Sequence, residues 1–178
     1  MTVYKKFGVA LITALSLVFI LAIWYTYEYA MKEVKSMEIN ASNLEHKILI
    51  ATQGSEFKDK VTLNLTEYYQ PQSVFIKVVD AKSLETLVPE EFDAIIVIHT
   101  WEYGKPPKEV RSFIERNEAY KDKIVILATS GEGSYKMDAV DALAGESILQ
   151  NASAFSTKII SKVDAILAKN TTFKIQEK

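Results

Sequence analysis

The chain has 178 residues, of which 48% are hydrophobic and 25% are charged. This length suits one domain of ordinary size, and the composition excludes a disordered or fibrous protein. The 21 basic and 23 acidic side chains leave a net charge of −2, which predicts no nucleic-acid partner. The chain has no cysteine and two histidines, which excludes disulfide frameworks and thiol catalysis and predicts no metal site.

The first predicted element is an apolar helix over residues 7–27, which follows an N-terminal tail of residues 1–6. No charged residue interrupts the run, and at about 1.5 Å per residue it is long enough to cross the hydrocarbon core of a bilayer. Trp24 and Tyr25 lie at its end, as is usual at a membrane interface. The run predicts an uncleaved signal anchor of a single-pass membrane protein. A cleaved secretory signal and a buried soluble helix are the alternatives.

The segment after this helix bears on membrane orientation and on the linker. Lysines follow the apolar run as well as precede it, so the positive charges are nearly equal on its two sides. The very short N-terminal tail then favours an extracytoplasmic position for the rest of the chain. Residues 28–43 are predicted to form a juxtamembrane stalk, which is helical because Met31, Val34 and Met37 recur at helical spacing.

Residues 44–169 alternate between short apolar runs and amphipathic segments, and residues 170–178 form a C-terminal tail. Five apolar runs predict strands, of which the last is short: residues 47–52, 74–79, 94–99, 123–129 and 140–144. Strands that alternate with helices indicate a parallel sheet with right-handed crossovers. The sequence therefore predicts an α/β domain.

Three amphipathic helices are predicted between and after these strands. In the first, Phe57, Val61, Leu65 and Tyr68 share one face. Pro107 opens the second, since proline suits a first helical turn. The third begins at about residue 153, and its inward residues are Phe155, Ile159, Ile160, Val163, Ile166 and Leu167.

Ligands of parallel α/β sheets bind beyond the carboxyl ends of the strands. Three polar loops follow predicted strands here, at residues 52–56, 100–104 and 129–133, and each contains glycine. A loop rich in Gly, Ser and Thr offers backbone N–H donors to an anion, and the aromatic residues Trp101 and Tyr103 can stack on a flat ring. Such loops also occur merely to turn the chain and cap a helix. The site prediction is a ligand with a phosphate and an aromatic ring.

Residues 48–167 resemble the flavodoxin-like family. The segment TWEYGKPPKEVRSFIE (residues 100–115) is similar to the flavin-edge loop and following helix of short members, and KIVILATSG (residues 123–131) resembles their fourth strand and third loop. The resemblance implies a three-layer sandwich with strand order 2-1-3-4-5. It implies FMN as cofactor, electron transfer as activity and a redox partner protein.

By the same resemblance, the three loops supply the cofactor contacts. Thr52, Gly54 and Ser55 would hold the phosphate, and Gln53 lies within that loop. The second loop would contact the flavin ring, and the third would contact its other edge. The residues of these two loops are Thr100, Trp101, Glu102, Tyr103 and Gly104 in the second, and Ser130, Gly131, Glu132 and Gly133 in the third.

Departures from the family pattern leave a second function open. The first loop is short and soon reaches Glu56, whose carboxylate disfavours a phosphate, and no proline follows Thr100. A flavodoxin-like domain without a cofactor, which acts as an interaction or scaffold module at the membrane, is therefore the alternative function. His99 and Glu102 can be interpreted as an acid–base pair, although a histidine at the end of a buried strand is more often a hydrogen-bonded core residue.

Overall fold

The computed structural model describes residues 3–28, 32–102, 104–135, 137 and 140–176. The chain divides into two compact units, Met1–Met31 and Lys32–Lys178. The first contains helix α1 (Val3–Glu28), in which Val3–Tyr25 has a mean hydropathy of 2.5 and no buried residues. This helix is long and apolar enough to cross a membrane, and a signal sequence meets the same criterion.

The second unit is an α/β domain, as the sequence predicts. Its strands are β1 (Met37–Ile39), β2 (His46–Thr52), β3 (Val74–Asp80), β4 (Ala94–Thr100), β5 (Ile124–Thr129) and β6 (Asp141–Gly145). Its α-helices are α2 (Glu56–Tyr69), α3 (Lys108–Arg116) and α4 (Ala152–Gln176). Short 3-10 helices occur at Ala81–Glu85, Pro89–Glu91, Glu118–Lys123 and Leu149–Asn151.

All six strands form one sheet in the order β1-β3-β2-β4-β5-β6. The pairs from β3 to β6 are parallel, and β1 pairs with β3 in the antiparallel direction. The chain passes from β2 to β3 on one side and then returns to β4 on the other side of β2. The direction of winding therefore switches between β2 and β4, which is where open α/β sheets leave a crevice at their carboxyl edge.

Alternate strand residues divide the core into two clusters. Ile48 and Ile50 of β2 belong to a cluster with buried residues of α2 and α4, whereas Leu49 and Ala51 belong to another with residues of α3. Successive side chains of a strand point to opposite faces, so β2 must be apolar throughout to be covered on both sides. The continuous apolar runs in the sequence have this physical cause.

Two sequence interpretations are corrected. The predicted helical stalk is wrong for residues 32–43, because residues 32–36 are not helical and Met37 begins β1 and pairs with Val78, whereas Met31 lies outside the described residues. On α2 the buried tyrosine is Tyr69, while Tyr68 is 41% exposed. The hydroxyl groups of both tyrosines donate to the Asp164 carboxylate, one to each oxygen.

Candidate functional site

Three threonines mark the carboxyl edge of the sheet. Thr52, Thr100 and Thr129 end the neighbouring strands β2, β4 and β5. Thr100 and Thr129 are paired across the ladder, and their hydroxyl oxygens lie 3.2 Å apart. The Thr129 hydroxyl also donates to the carbonyl of His99, at 3.3 Å. The predicted loops of the site therefore leave the sheet side by side.

A segment that the sequence did not assign to the site reaches the first of these loops. We call residues 32–39, which include β1, the strap. The Gly54 N–H donates to the Lys32 carbonyl at 2.9 Å, and the Lys32 N–H donates to the Gly54 carbonyl at 3.1 Å. Farther along the strap, the Val34 N–H donates to Asp80 Oδ2 at 2.9 Å. Both backbone hydrogen-bonding groups of Gly54 are thus satisfied by the strap.

Glycine at position 54 permits this close approach. A Cβ atom at Gly54 would fall well inside contact distance of the Lys32 carbonyl oxygen, which belongs to the backbone and cannot rotate away. We expect Gly54→Ala to lower the free energy of unfolding by about 1–3 kcal/mol, the range for an overpacked contact. Urea denaturation of the full chain in detergent measures this change.

Gly131→Ala is the matched control for Gly54→Ala. A Cβ at Gly131 meets nothing within 4 Å, so the control should change stability by less than about 0.5 kcal/mol. Equal effects of the two substitutions would contradict a tight contact between the strap and Gly54.

Several other polar groups of the first loop also bond within the protein. The Gln53 N–H donates to the Ile98 carbonyl at 3.1 Å, and Gln53 Oε1 accepts from the Thr100 N–H at 2.7 Å. Thr52 Oγ1 donates to the Gln53 carbonyl, and Ser55 caps α2. These hydrogen bonds connect the loop to β4 and to the strap.

Lys58 connects the first and second loops, although the sequence did not place it among the site residues. Its side chain is fully buried, and Nζ donates to Thr100 Oγ1 at 2.7 Å and to Ser55 Oγ at 3.4 Å. Burial lowers the pKa of Lys58 to about 8, against the opposing effect of the Glu102 and Asp59 carboxylates. The available signal was helical spacing, because position 58 lies one turn before the buried Val61.

Trp101 anchors the second loop to the sheet. The backbone N–H of Trp101 donates to the Thr129 carbonyl at 2.6 Å. Its half-buried indole packs against the core cluster that contains residues of α3, which we call the α3-side cluster. The indole is nearly parallel to Tyr135, at 4° and 5.7 Å between ring centroids, and also stacks on His99 at 6.2 Å. Trp101 therefore already has aromatic partners from its own chain.

The other predicted residues of the second and third loops lie mostly at the surface. Glu102 is exposed and exchanges two backbone hydrogen bonds with Lys105 around Gly104, which has a φ of 75°. Tyr103 lies outside the described residues. Gly131 and Glu132 are exposed, and the Gly133 N–H donates to the Ser130 carbonyl at 3.3 Å.

Three buried polar atoms at this edge have no hydrogen-bond partner among the described residues. They are His99 Nε2, Trp101 Nε1 and Ser130 Oγ. His99 Nδ1 lies 3.2 Å from the Thr100 carbonyl, which only accepts, so Nδ1 carries the proton and Nε2 is an acceptor. Burial lowers the pKa of His99 to about 4, so the ring is neutral at pH 7.

His99 is thus the hydrogen-bonded core residue that the sequence favoured. It is fully buried, whereas Glu102 is exposed, and no hydrogen bond joins the two side chains. Within the described part of the chain, no group of three His, Asp or Glu side chains is placed to hold a metal ion.

The loops fit the two halves of FMN unequally. A phosphate group requires several backbone N–H donors that no other group uses. The N–H groups of Gln53, Gly54 and Lys58 are already bonded to Ile98, Lys32 and Ser55. A phosphate at the first loop would therefore have to be held without the N–H groups of Gln53, Gly54 and Lys58. The flavin ring fits better than the phosphate. Trp101 Nε1 and Ser130 Oγ have no hydrogen-bond partner among the described residues, so they are available to polar atoms of a ring that lies beside the Trp101 indole.

No protein-family model and no curated protein matches this chain. Its function is therefore inferred from its residues and their geometry.

Proposed function

We propose that this chain is a membrane-anchored, flavodoxin-like domain that works without a flavin, as a non-enzymatic interaction module. The observation that carries this proposal is the pairing of Gly54 with Lys32. The strap, which belongs to the same chain, bonds both backbone groups of Gly54, a residue that the resemblance assigns to the FMN phosphate. The Gly54 N–H is therefore already used and does not donate to an anion.

The arrangement of the domain supports the flavodoxin-like part of the proposal. Apart from the short β1, the parallel strands follow one another in space as β3-β2-β4-β5-β6. In chain order of the parallel strands this is 2-1-3-4-5, the order that the resemblance implies. The two core clusters, one with α2 and α4 and one with α3, are consistent with three layers.

FMN-dependent electron transfer is the second candidate function. It is favoured by the buried and unpaired atoms Trp101 Nε1, Ser130 Oγ and His99 Nε2, which are suited to the polar edge of a ring. To bind at these atoms, a flavin would have to displace Tyr135 from the indole. Its phosphate would also have to bind without the Gly54 N–H, which donates to the Lys32 carbonyl.

Titration of the purified full chain with FMN distinguishes the two functions. For a cofactor-free module we expect no quenching of flavin fluorescence and no visible flavin absorbance after the free FMN is removed. A bound, stoichiometric flavin would overturn the proposal in favour of electron transfer. Riboflavin, which lacks the phosphate, is the matched ligand: binding of riboflavin as tight as that of FMN would assign the affinity to the ring-edge atoms alone.

The anchor is part of the proposal and has its own test. Helix α1 would remain on the mature protein and hold the domain at the membrane, on the extracytoplasmic side. We expect the full-length protein to remain in the membrane fraction after alkaline extraction. We also expect protease added to cells stripped of their outer layers, with the cytoplasmic membrane intact, to degrade the domain. A soluble product that begins after residue 25 would identify α1 as a cleaved signal.

A further inference from the structure

The two edges of the sheet differ in how they are protected. At one edge the three-residue β1 covers β3, and the Glu38 side chain of β1 pairs with Lys77 at 3.3 Å. At the other edge, β6 pairs only with β5, and no described residue adds a strand outside it. An edge strand without such cover is a template for pairing with another chain.

The outward groups of β6 can be identified from one hydrogen bond. The Ser130 N–H donates to the Gly145 carbonyl at 3.1 Å, so Gly145 directs its backbone groups towards β5. Because these directions alternate along a strand, the N–H and C=O groups of Ala142 and Ala144 point away from the sheet. No lysine or proline lies within β6 to block an approaching strand.

The only charged side chain of β6 is already neutralised. Both carboxylate oxygens of Asp141 accept from Lys162 Nζ of α4, at 2.8 and 2.7 Å. Beyond the other end of the strand, Ile148 and Leu149 are each 41% exposed. The edge therefore combines free backbone groups, small side chains and exposed apolar surface.

We propose that β6 pairs with β6 of a second copy of this chain, antiparallel and with Leu143 on the twofold axis. This register pairs all five residues of the strand, with Ala142 opposite Ala144 of the second copy. The outward groups of these alanines then form four hydrogen bonds, and the two leucines meet as a non-hydrogen-bonded pair. The two six-stranded sheets would become one continuous sheet.

Charge complementarity favours a second copy as the occupant. A groove of about 980 Å³ lies beside the amino end of β6, and its lining includes Val140, Lys121 and Lys169, together with Asp122 and the paired Lys162 and Asp141. Continuing the antiparallel register by one residue places the exposed Glu146 of the second copy opposite Val140. Each groove would thus receive one carboxylate from the other chain, and Asp141 would face Gly145 without like-charge repulsion.

The pairing is independent of the strand-end loops, and therefore goes beyond the proposed function. It would hold whether or not FMN binds, because β6 contributes none of the atoms assigned to the flavin. It is isologous, so one surface serves both copies and the assembly closes as a dimer.

The absence of native cysteine makes disulfide mapping a direct test. Single-cysteine variants Ala142→Cys and Ala144→Cys of the full chain are mixed in detergent and oxidised. The two positions face each other in a hydrogen-bonded pair, whose Cα separation of about 5.5 Å suits a disulfide. We expect at least several times more cross-linked dimer from the mixture than from either variant alone. The exposed Lys60→Cys on α2 is the background control.

Two further variants test the pairing without a cross-link. Ala144→Pro removes one outward N–H and leaves the hydrogen bonds to β5 intact, whereas Ala144→Ser keeps that N–H. We expect light scattering of the full chain in detergent to give a dimer for native chain and Ala144→Ser, and a monomer for Ala144→Pro. We expect Glu146→Lys to weaken dimerisation about tenfold through repulsion from the lysines of the groove.

Several outcomes would overturn self-pairing. A native chain that stays monomeric at all concentrations would do so, and so would equal cross-linking of the mixture, the single variants and the Lys60→Cys control. A dimer that persists in a folded Ala144→Pro chain would place the contact elsewhere, as in α1. Protection of β6 amides from hydrogen exchange only after another protein is added would identify a different partner strand.

Discussion

We expect Trp101→Ala to lower the free energy of unfolding by about 2 kcal/mol, below the range of about 3–5 kcal/mol for fully buried aromatic side chains, because the indole is half-buried. The indole packs against the α3-side cluster and stacks on Tyr135 and His99, so its loss opens a cavity at the end of β4. Urea denaturation of the full chain in detergent, followed by hydrogen exchange of the β4 and β5 amides, measures the change in the domain itself.

The control for Trp101→Ala is Tyr135→Ala. This substitution removes the stacking partner but leaves the indole in the cluster, and should cost only about 0.5–1.5 kcal/mol. If Trp101→Ala left stability unchanged and abolished FMN binding, Trp101 would be a cofactor contact and not a core residue. The cofactor-free function thus predicts that Trp101→Ala lowers stability, whereas electron transfer predicts that it weakens FMN binding.

The second large effect is the dependence of stability on pH through His99. Burial lowers the pKa of His99 from 6.5 to about 4 in the folded domain, while the unfolded chain keeps the ordinary value. Between these two values the unfolded state binds more protons, so stability falls as the pH falls. This difference in pKa corresponds to a decrease of about 3 kcal/mol in the free energy of unfolding. The decrease begins as the pH falls below 6.5 and is nearly complete at pH 4.

Comparison with His99→Gln isolates this contribution, because carboxylates that titrate in the same range are common to both chains. We expect the free energy of unfolding of the native chain, minus that of the variant, to decrease by about 3 kcal/mol from pH 7 to pH 4. Circular dichroism during urea titration at several pH values provides the measurement. Parallel stability curves for the two chains would show that His99 does not titrate as a buried group.

Much of the fold could be predicted because its physical cause is local. Strands such as β4 must be apolar on both faces, and that requirement appears directly as an uninterrupted run. Helix α4 shows the same kind of signal, since Ile159, Val163 and Leu167 recur at helical spacing and are all buried. The N-terminal apolar helix also follows from composition and length alone.

The site was less predictable because its decisive contacts join residues distant in the sequence. Nothing near Gly54 indicates that Lys32 will bond both of its backbone groups, since that pairing depends on β1 reaching the edge of β3. Spacing alone did not distinguish Tyr69 from Tyr68, which are adjacent on α2. Helical spacing places Lys58 on the buried side of α2, but lysine is usually exposed, and the position of Thr100 shows which group its ammonium contacts.

The apolar N-terminal helix and the α/β domain follow from the sequence alone, and the absence of cysteine excludes thiol and disulfide chemistry by the chain itself. These properties depend on residue type and short-range periodicity. The pairing of the strap with Gly54, the contact of Lys58 with Thr100 and the position of β6 at one end of the sheet follow only from the three-dimensional arrangement. Hydrogen bonds between strands and burial of a charge depend on which distant segments meet, and that is fixed only when the sheet assembles.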